Sequence, residues 1–330
     1  MEMRVLGKTK LKVSALSLGG LFVSKAGGQF EQAKRAVHRA VELGVNYIDT
    51  APGYLDSEEV LGKALEGITQ PLIISTKLGG RPQPFRPQDR NCLMQSVEES
   101  LRLLKRDYID ILMIHEPDRP GEYDWWTNWD TFEGPVLELM DELKKKGIIR
   151  FTGLGGTTAY EMARIIRSGK FDVVLTAFNY SLLWREAVHE VLPAANEQDM
   201  GIVIGSALQQ GALSRRYDDQ IERGAPWMSR PRREQYRALY RLLDEIGIPL
   251  AELGYRFALS NPDVSAVLMG ARSAEEVEQN VAAAGRGPLP QELLARLNEI
   301  AAMAPFRPYE EPFGLPFWTD TYHGPGRAGR

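Results

Sequence analysis

Short apolar runs alternate along this chain with longer segments in which apolar residues recur at helical spacing. The runs are apolar throughout, as in Val173-Val174-Leu175 and Ile202-Val203-Ile204, instead of alternating with polar residues. Strands with two apolar faces are typical of a parallel sheet covered by helices. The pattern therefore predicts repeated strand–helix units. The predicted strands are 15–18, a short strand ending at 49, 72–76, 108–114, 148–154, 171–178, 201–205 and 264–269.

Helical spacing fills the segments between and after these strands. Two connections are long loops, 116–134 and 206–229, but the alternation of strand and helix continues through them, and a small hairpin over 4–13 precedes it. Unbroken alternation over this length favours one α/β domain across 1–330, a (β/α)₈ TIM barrel with long loops at its C-terminal face. The predicted helices are 30–43, 57–65, 89–104, 135–146, 160–168, 186–198, 232–246, 249–258, 274–284 and 291–303, and an aromatic-rich tail covers 304–330.

A doubly wound open sheet is the alternative fold. Its nucleotide-binding form carries Gly-x-Gly-x-x-Gly after the first strand. The corresponding residues here, Gly19-Gly20-Leu21-Phe22, do not supply that motif. The barrel is therefore the preferred interpretation.

Composition and charge narrow the functional class. Forty basic and 44 acidic residues give a net charge of −4, so the sequence gives no reason to expect nucleic acid or an anionic membrane as a partner. Cys92 is the lone cysteine, which excludes an internal disulfide and a multi-cysteine metal site and favours a reducing compartment. The start of the chain lacks the layout of a signal peptide. We expect a cytoplasmic protein without a metal, and the oligomeric state is open.

Titratable side chains stand at the ends of three consecutive strands. Asp49 ends the second, Lys77 follows the third, and His115 follows the fourth, while Tyr54 lies in the turn after Asp49. Active sites of barrels form at the C-terminal ends of the strands, so we expect these four side chains at one mouth. A lysine beside a phenol stabilises the phenolate and lowers its pKa.

Together these groups suit proton transfer to a carbonyl oxygen. Tyr54 would protonate the oxygen, Asp49 would keep Lys77 charged, and His115 would donate a hydrogen bond across the pocket. No protein side chain delivers hydride, so the chemistry implies a nicotinamide or a flavin.

Four motifs in family order resemble the aldo-keto reductases. They are Asn46-Tyr47-Ile48-Asp49-Thr50-Ala51 with Tyr54, Ser75-Thr76-Lys77, Ile114-His115-Glu116-Pro117-Asp118, and Gly270-Ala271-Arg272-Ser273 continuing to Asn280. The resemblance implies a barrel that binds NADP(H), or NAD(H), in extended form without a Rossmann domain. It implies that Tyr54 is the general acid/base, tuned by Lys77 and Asp49, and that His115 orients the carbonyl. By the same resemblance the cofactor-binding residues would be Gly20, Leu21, Asn179, Tyr180, Ser206, Ala207, Leu208, Gln210, Gly270, Arg272, Gln279 and Asn280.

The nicotinamide end departs from the family pattern. Gly155 and Gly156 stand where the family has Ser-Asn, Ala177 where it has Gln, and Gly205 where many members stack an aromatic ring. Backbone groups or Thr157 would substitute, with Thr176 or Asn179 in place of the glutamine and Tyr180 against the cofactor. The alternative is that these glycines only permit close packing.

The residues that would bind the phosphate end of the cofactor match the family pattern more closely. Gly270 and Arg272 open a helix whose N-terminal amides suit a phosphate, and Arg272 would pair with an adenosine 2′-phosphate. Glu275 and Glu276 place negative charges nearby, which would repel that phosphate. The sequence favours NADP(H), with NAD(H) as the alternative.

Aromatic residues gather where a substrate would enter. We expect Phe22, Trp125 and Trp126 to bind it, with Trp129 and the tail residues Phe313, Phe317, Trp318 and Tyr322 adding to the wall. Asp118, Glu122 and Asp124 suit hydroxyl groups, which favours a sugar-like carbonyl or alcohol. The alternative is that the tryptophans only pack the loop onto the barrel.

The leading interpretation is an NAD(P)(H)-dependent reductase or dehydrogenase that interconverts a carbonyl and an alcohol. Two alternatives stay open. One is a regulatory barrel that senses its cofactor, as channel-accessory subunits of this family do; the other is an isomerase, dehydratase or lyase that uses bound nucleotide without net redox change.

Overall fold

Eight parallel strands close into a barrel in the order β10-β3-β4-β5-β6-β7-β8-β9, which confirms the predicted (β/α)₈ fold. This computed structural model describes residues 1–308, 311, 312 and 317. A separate antiparallel pair forms the predicted N-terminal hairpin. The strands are β1 (Met3–Val5), β2 (Lys12–Ser14), β3 (Leu16–Gly19), β4 (Tyr47–Asp49), β5 (Ile73–Leu78), β6 (Ile109–His115), β7 (Ile149–Gly156), β8 (Val173–Ala177), β9 (Gly201–Gly205) and β10 (Ala266–Met269).

Helices cover the outside of the barrel, and short 3₁₀ turns occur at Gly7–Thr9, Gly20–Phe22, Glu186–Val188 and Gln209–Gly211. The α-helices are α1 (Phe30–Glu42), α2 (Ser57–Ala64), α3 (Arg90–Leu104), α4 (Pro135–Lys145), α5 (Tyr160–Arg167), α6 (Val191–Glu197), α7 (Asp218–Arg223), α8 (Arg230–Ile246), α9 (Leu250–Leu259), α10 (Ala274–Gly285) and α11 (Gln291–Ala302).

Successive strand residues point to opposite faces, and this divides the buried apolar residues into two groups. In β9, Val203 packs inside the barrel, whereas its neighbours Ile202 and Ile204 pack outward against the helices. Both faces of the strand are therefore dry, which is why the strands are apolar throughout.

The N-terminal hairpin closes the lower end of the barrel. Leu6 is fully buried and joins the interior group with Val13 and Tyr47. A Cβ atom at Gly7 would lie 2.3 Å from the backbone nitrogen of Gly201, so this turn approaches β9 too closely for a side chain. With this end closed, the opposite end is left for the site.

Two helix predictions need correction. The predicted helix 186–198 is a 3₁₀ turn followed by α6, since Pro193 has no N–H and its ring clashes with the preceding turn. The predicted loop 206–229 contains α7, a single short helix that buries only Ile221 and ends at Gly224 with φ of +76°. One buried residue in six is too little apolar periodicity to identify a helix.

Within the described part of the chain, no helix is long and apolar enough to cross a membrane. The same residues contain no group of three or more His, Cys, Asp or Glu side chains arranged to hold a metal ion. Three aromatic residues expected near the mouth, Phe313, Trp318 and Tyr322, lie outside the described residues.

Candidate active site

A buried ion pair joins the ends of β4 and β5. The Lys77 ammonium donates hydrogen bonds to Asp49 Oδ2 and to the Thr50 carbonyl, both at 2.7 Å. Asp49 Oδ1 accepts a third bond from the Ser75 hydroxyl at 2.6 Å. Both charged side chains are at most 2% exposed. Because every partner is in place, the pair can stay ionised in a dry environment.

Tyr54 lies against this pair because of the turn that follows β4. Its backbone N–H donates to the Ala51 carbonyl at 3.0 Å, which brings the side chain back over the strand ends. The Lys77 ammonium is 4.8 Å from the centre of the Tyr54 ring. The Tyr54 and His115 rings meet edge to face, with centroids 5.8 Å apart. The structure thus brings together all four titratable residues that the sequence singled out.

Burial and charge act in opposite directions on these groups. Burial raises the pKa of the Tyr54 phenol above its usual value of 10.0 and outweighs Lys77, whose charge and hydrogen bond lower it; Asp49 raises it further. Burial alone would lower the pKa of Lys77, but Asp49 and Tyr54 hold it above 10.5. Lys77 therefore acts in the expected direction, yet the phenol stays protonated and the ammonium charged at neutral pH.

His115 is the last residue of β6, and a hydrogen bond from the following loop fixes its backbone. Its carbonyl accepts a hydrogen bond from the Trp125 indole at 2.9 Å. A Cβ atom at Gly79 would lie 3.2 Å from both His115 Cβ and the Tyr123 ring, so the glycine lets these side chains approach. The imidazole consequently stays at the mouth beside Tyr54.

The two tryptophans expected to line a substrate pocket are buried inside their own loop. Trp125 and Trp126 are 0% and 2% exposed, and the Trp126 indole donates to the Pro117 carbonyl at 2.9 Å. They pack the loop onto the barrel, which was the alternative interpretation. Both indole N–H groups donate to backbone carbonyls, as buried indoles usually do.

Two aromatic residues that the sequence did not single out lie in the loops after β5 and β6 instead. Tyr123 and Phe85 are half-buried, with ring centroids 5.3 Å apart, and Tyr123 lies next to Gly79 and His115. They line an open cleft of about 700 Å³ formed by residues 83–89 and 122–124. Phe85 is the only aromatic residue in the loop after β5, but Tyr123 is one of five in the loop after β6, so aromatic type alone could not single it out.

Phe22 lies on the opposite side of the mouth from this cleft, where the ends of β3 and β10 meet. A Cβ atom at Gly270 would be 2.8 Å from the Phe22 ring, and the Arg272 guanidinium lies 4.7 Å above it. The residue predicted to touch substrate therefore packs on residues predicted to bind cofactor. The backbone N–H of Arg272 donates to Glu276 Oε2 at 2.8 Å.

The glycines that replace the family's nicotinamide contacts are tightly packed. A Cβ atom at Gly155 would lie 3.2 Å from Lys77 Cε, and one at Gly156 would lie 2.5 Å from Asp118 Oδ1. At Gly205 it would lie 2.9 Å from the Leu175 side chain. These distances support the alternative that the glycines permit close packing.

Two of the predicted cofactor residues are engaged within the protein. The Asn179 amide donates to the Thr157 carbonyl at 2.7 Å. The Tyr180 ring packs against Phe257 of α9 with centroids 5.4 Å apart, and its hydroxyl accepts from Asn261 at 3.2 Å. Tyr180 thus packs behind β8 against a helix. A ring in that position cannot also lean on a nicotinamide in the mouth.

The other predicted cofactor residues lie on neighbouring strand ends, because β9, β10 and β3 are adjacent in the barrel. Leu208 packs toward Gly254 of α9, where a Cβ atom would be only 2.5 Å from its side chain. Bare backbone at these strand ends, together with the N-terminal turn of α10, fits an extended dinucleotide. The remaining members of this group are Gly20, Leu21 and Gln210 in 3₁₀ turns, Ser206 and Ala207 after β9, and Gln279 and Asn280 on α10.

Comparisons with known proteins agree with this geometry. The sequence is 29% identical to the L-galactose dehydrogenase of Arabidopsis thaliana, covering 86% of this chain and 88% of that protein. It is 26% identical to a putative voltage-gated potassium channel subunit beta of Schizosaccharomyces pombe, covering 92% and 94%. The solved holo form of the aldo-keto reductase AKR11C1 from Bacillus halodurans superposes with a TM-score of 0.72 at 27% identity, covering 91% of this chain and 96% of that one.

A family model supplies the assignment. The model of the Aldo/keto reductase family matches residues 15–302, a range that contains every barrel strand and all four titratable residues at the mouth. The closed parallel barrel and the superposition with AKR11C1 agree with that match. The chain belongs to the aldo/keto reductase family of oxidoreductases.

Proposed function

We propose that this protein is an NAD(P)(H)-dependent oxidoreductase that interconverts an aldehyde or ketone and an alcohol, with Tyr54 as general acid/base. The observation that carries the proposal is the buried Lys77–Asp49 pair beneath the Tyr54 ring, with His115 at its edge. A structural ion pair would not require a phenol and an imidazole at the same barrel mouth. Family membership supports a nicotinamide dinucleotide as the cofactor.

Each side chain has one task in the reduction. The bound nicotinamide would supply hydride to the carbonyl carbon. Tyr54 gives its phenolic proton to the carbonyl oxygen, and the Lys77 charge stabilises the phenolate that remains. Asp49 holds the ammonium in place, and His115 donates a hydrogen bond that orients the carbonyl oxygen. In alcohol oxidation the proton moves the other way, from the alcohol to the Tyr54 phenolate.

The residues that would hold the dinucleotide lie on the adjacent ends of β3, β9 and β10. The sequence favours NADP(H) through Arg272, with NAD(H) as the alternative. Arg272 is exposed, so its guanidinium is accessible to a phosphate, but Glu276 already occupies its backbone N–H. Of the two predicted contacts for the nicotinamide amide, backbone groups or Thr157, backbone groups of β7 are the better candidates, because the Thr157 hydroxyl already donates to Glu116 Oε2 at 2.8 Å.

A sugar-like hydroxy-carbonyl is the proposed substrate. The half-buried ring of Tyr123 offers an apolar face beside His115, and Glu122 and Asp124 at the rim of the same cleft supply hydrogen-bond acceptors. The similarity to an L-galactose dehydrogenase supports the same class. Aldoses, aryl aldehydes and apolar ketones, assayed in parallel at the nicotinamide absorbance band, test it. Turnover of apolar ketones alone would reject the sugar assignment.

A cofactor-sensing barrel is the second candidate, because the potassium channel beta subunit is similar over nearly its whole length. Such a protein would bind dinucleotide without sustained turnover. Stoichiometric consumption of NADH or NADPH with product formation separates the enzyme from this sensor, and also from an isomerase or dehydratase. Tight dinucleotide binding without consumption across the panel would favour the sensor.

A further inference from the structure

Two neighbouring loops at the mouth contain non-glycine residues in the left-handed region of backbone conformation. Phe178, directly after β8, has φ of +67°, and Ser206, Gln209 and Gln210, after β9, have φ of +53°, +51° and +50°. This conformation is unfavourable for residues with a Cβ atom and persists where the surroundings fix it. Contacts around the two loops therefore hold them.

Arg307 supplies such contacts from the far end of the chain. Its Nη2 donates to the Phe178 carbonyl at 3.2 Å and to Gln209 Oε1 at 3.5 Å. The Gln209 amide, which is fully buried, donates to the same Phe178 carbonyl at 2.9 Å. One guanidinium thus connects the loop after β8 to the loop after β9 at the strained residue itself.

Arg307 is held in turn by a buried anchor. Its Nη1 donates to Glu311 Oε1 at 3.3 Å, and its backbone N–H donates to Glu186 Oε1 at 2.8 Å. Glu311 pairs with Arg232 of α8 at 2.9 Å, and both of those side chains are 0% exposed. An ion pair buried this completely is costly to break, because either charge alone would be left without a partner. The anchor therefore fixes the guanidinium relative to the helical shell.

An arginine can also join distant segments of the chain for structural support alone. Arg185 is such an arginine. Arg185 donates to the Leu182 carbonyl at 2.9 Å and to Asn298 in α11, also at 2.9 Å. Like Arg307, it stitches the segment after β8 to a later part of the chain. Its hydrogen bonds reach neither Phe178 nor the loop after β9. Arg185 is therefore a matched comparison for structural support alone.

We propose that Arg307 is a positioning residue for dinucleotide binding. It keeps the loops after β8 and β9 in the geometry that accepts the cofactor, while the groups at the ends of β4, β5 and β6 do not depend on it. The inference rests on the proposed function, since the loops carry Asn179, Ser206 and Ala207 of the cofactor-binding set. When such loops relax, the apparent affinity for dinucleotide falls in proportion to the fraction of molecules that can still bind it.

The experiment uses the full chain with Arg307→Gln, Arg307→Lys and Arg185→Gln. Dissociation constants for NADH and NADPH are measured by quenching of tryptophan fluorescence, beside Tm and steady-state kinetics. Arg307→Gln is expected to raise the dissociation constant and the KM for dinucleotide about tenfold, with kcat within about twofold of wild type. Arg307→Lys restores part of the affinity, because an ammonium reaches one of the two acceptors. Arg185→Gln lowers Tm and leaves the dissociation constant unchanged.

An unchanged dissociation constant in Arg307→Gln overturns the inference, and so does an equal loss of affinity in Arg185→Gln. If Arg307→Gln does not fold, Gln209→Met removes the other donor to the Phe178 carbonyl, and full affinity in that variant overturns the inference as well. Wild-type protein that binds neither dinucleotide rejects the proposed function and this inference with it. Wild-type binding combined with an unaffected Arg307→Gln rejects this inference alone.

Discussion

The Lys77 ammonium lies 4.8 Å from the centre of the Tyr54 ring while it donates a 2.7 Å hydrogen bond to Asp49. The phenol is therefore beside a fixed positive charge, yet burial keeps its pKa above 10.0. A protonated phenol next to a cation is a proton donor whose conjugate base is stabilised as it forms. The arrangement favours Tyr54 as the acid in carbonyl reduction.

Removing only the phenolic oxygen tests that role. Tyr54→Phe keeps the ring over Lys77 and deletes the proton, so kcat is expected to fall by about 10²- to 10⁴-fold. The dissociation constant for dinucleotide should stay within about twofold of wild type, because the ring volume is unchanged. Single-turnover kinetics and fluorescence titration measure the two quantities. Tyr160→Phe is the control, since Tyr160 is 59% exposed on α5. Wild-type turnover by Tyr54→Phe would remove Tyr54 from the mechanism.

The pH dependence should report the environment of Tyr54. Reduction needs the protonated phenol, so its rate is expected to stay level from about pH 6 to about pH 9 and to fall only as pH rises through the raised pKa. In Lys77→Met the charge that lowers this pKa is absent, so the pKa rises further and the alkaline fall moves to higher pH. Alcohol oxidation needs the phenolate, so in that variant its rate becomes slower and its rise also moves upward. A shift to lower pH would contradict the assigned electrostatics.

The sequence predicted that Asp49, Tyr54, Lys77 and His115 lie together because two regularities act together. Continuous apolar runs that stop at a titratable residue identified where the strands end, and the barrel rule brings those ends to one mouth. Asp49, Lys77 and His115 each belong to a strand, so their direction follows from the strand itself. Tyr54 follows Asp49 so closely that its turn could not carry it far away.

Residues in long loops were harder to place from sequence. Trp125 and Trp126 are buried through hydrogen bonds to the carbonyls of His115 and Pro117, contacts that depend on how the loop returns to the barrel. Apolar periodicity does not contain that path. Phe22 was assigned to substrate by its aromatic type, but its contact with Gly270 depends on β3 and β10 being neighbours at the barrel closure.

Alanine at Gly155 and alanine at Gly156, both in β7, should have different effects. At Gly155 the new methyl would press on Lys77 Cε at 3.2 Å and displace the ammonium. We therefore expect a large fall in kcat and only a small fall in the free energy of unfolding. At Gly156 it would meet Asp118 Oδ1 at 2.5 Å, and overpacking of that kind costs about 1 to 3 kcal/mol of unfolding free energy. Urea unfolding and kcat measure both effects. Gly285→Ala is the control, since nothing lies within 4 Å of its Cβ position. Equal effects at both positions would contradict the packing argument.

Substitution of Tyr123 should affect substrate binding, whereas substitution of Trp125 should affect stability. Tyr123→Ala is expected to raise KM for the best substrate several-fold and to leave Tm nearly unchanged, because Tyr123 is half-buried at the opening. Trp125→Ala removes a fully buried indole and should lower the unfolding free energy by about 3 to 5 kcal/mol. Thermal melts and KM values for one substrate decide the matter. An unchanged KM in Tyr123→Ala would place the substrate elsewhere.

Under the proposed function, cofactor preference should depend on two neighbouring side chains of opposite charge. The Arg272 guanidinium is exposed above Phe22, and the Glu276 carboxylate accepts the Arg272 backbone N–H at 2.8 Å. The carboxylate therefore occupies a donor that a phosphate would use and adds repulsion. Each charge should shift the ratio of NADPH to NADH affinity in its own direction.

Arg272→Met is expected to weaken NADPH binding about tenfold with a smaller effect on NADH, because only a 2′-phosphate exploits the guanidinium. Glu276→Gln removes a like charge worth about 1 kcal/mol near the surface and should improve the ratio for NADPH about fivefold. Calorimetric titration with both dinucleotides measures the ratio without turnover. Glu278→Gln is the control, since Glu278 pairs with Arg39 on α1. If neither Arg272→Met nor Glu276→Gln changes the ratio, the 2′-phosphate does not lie at this end of α10.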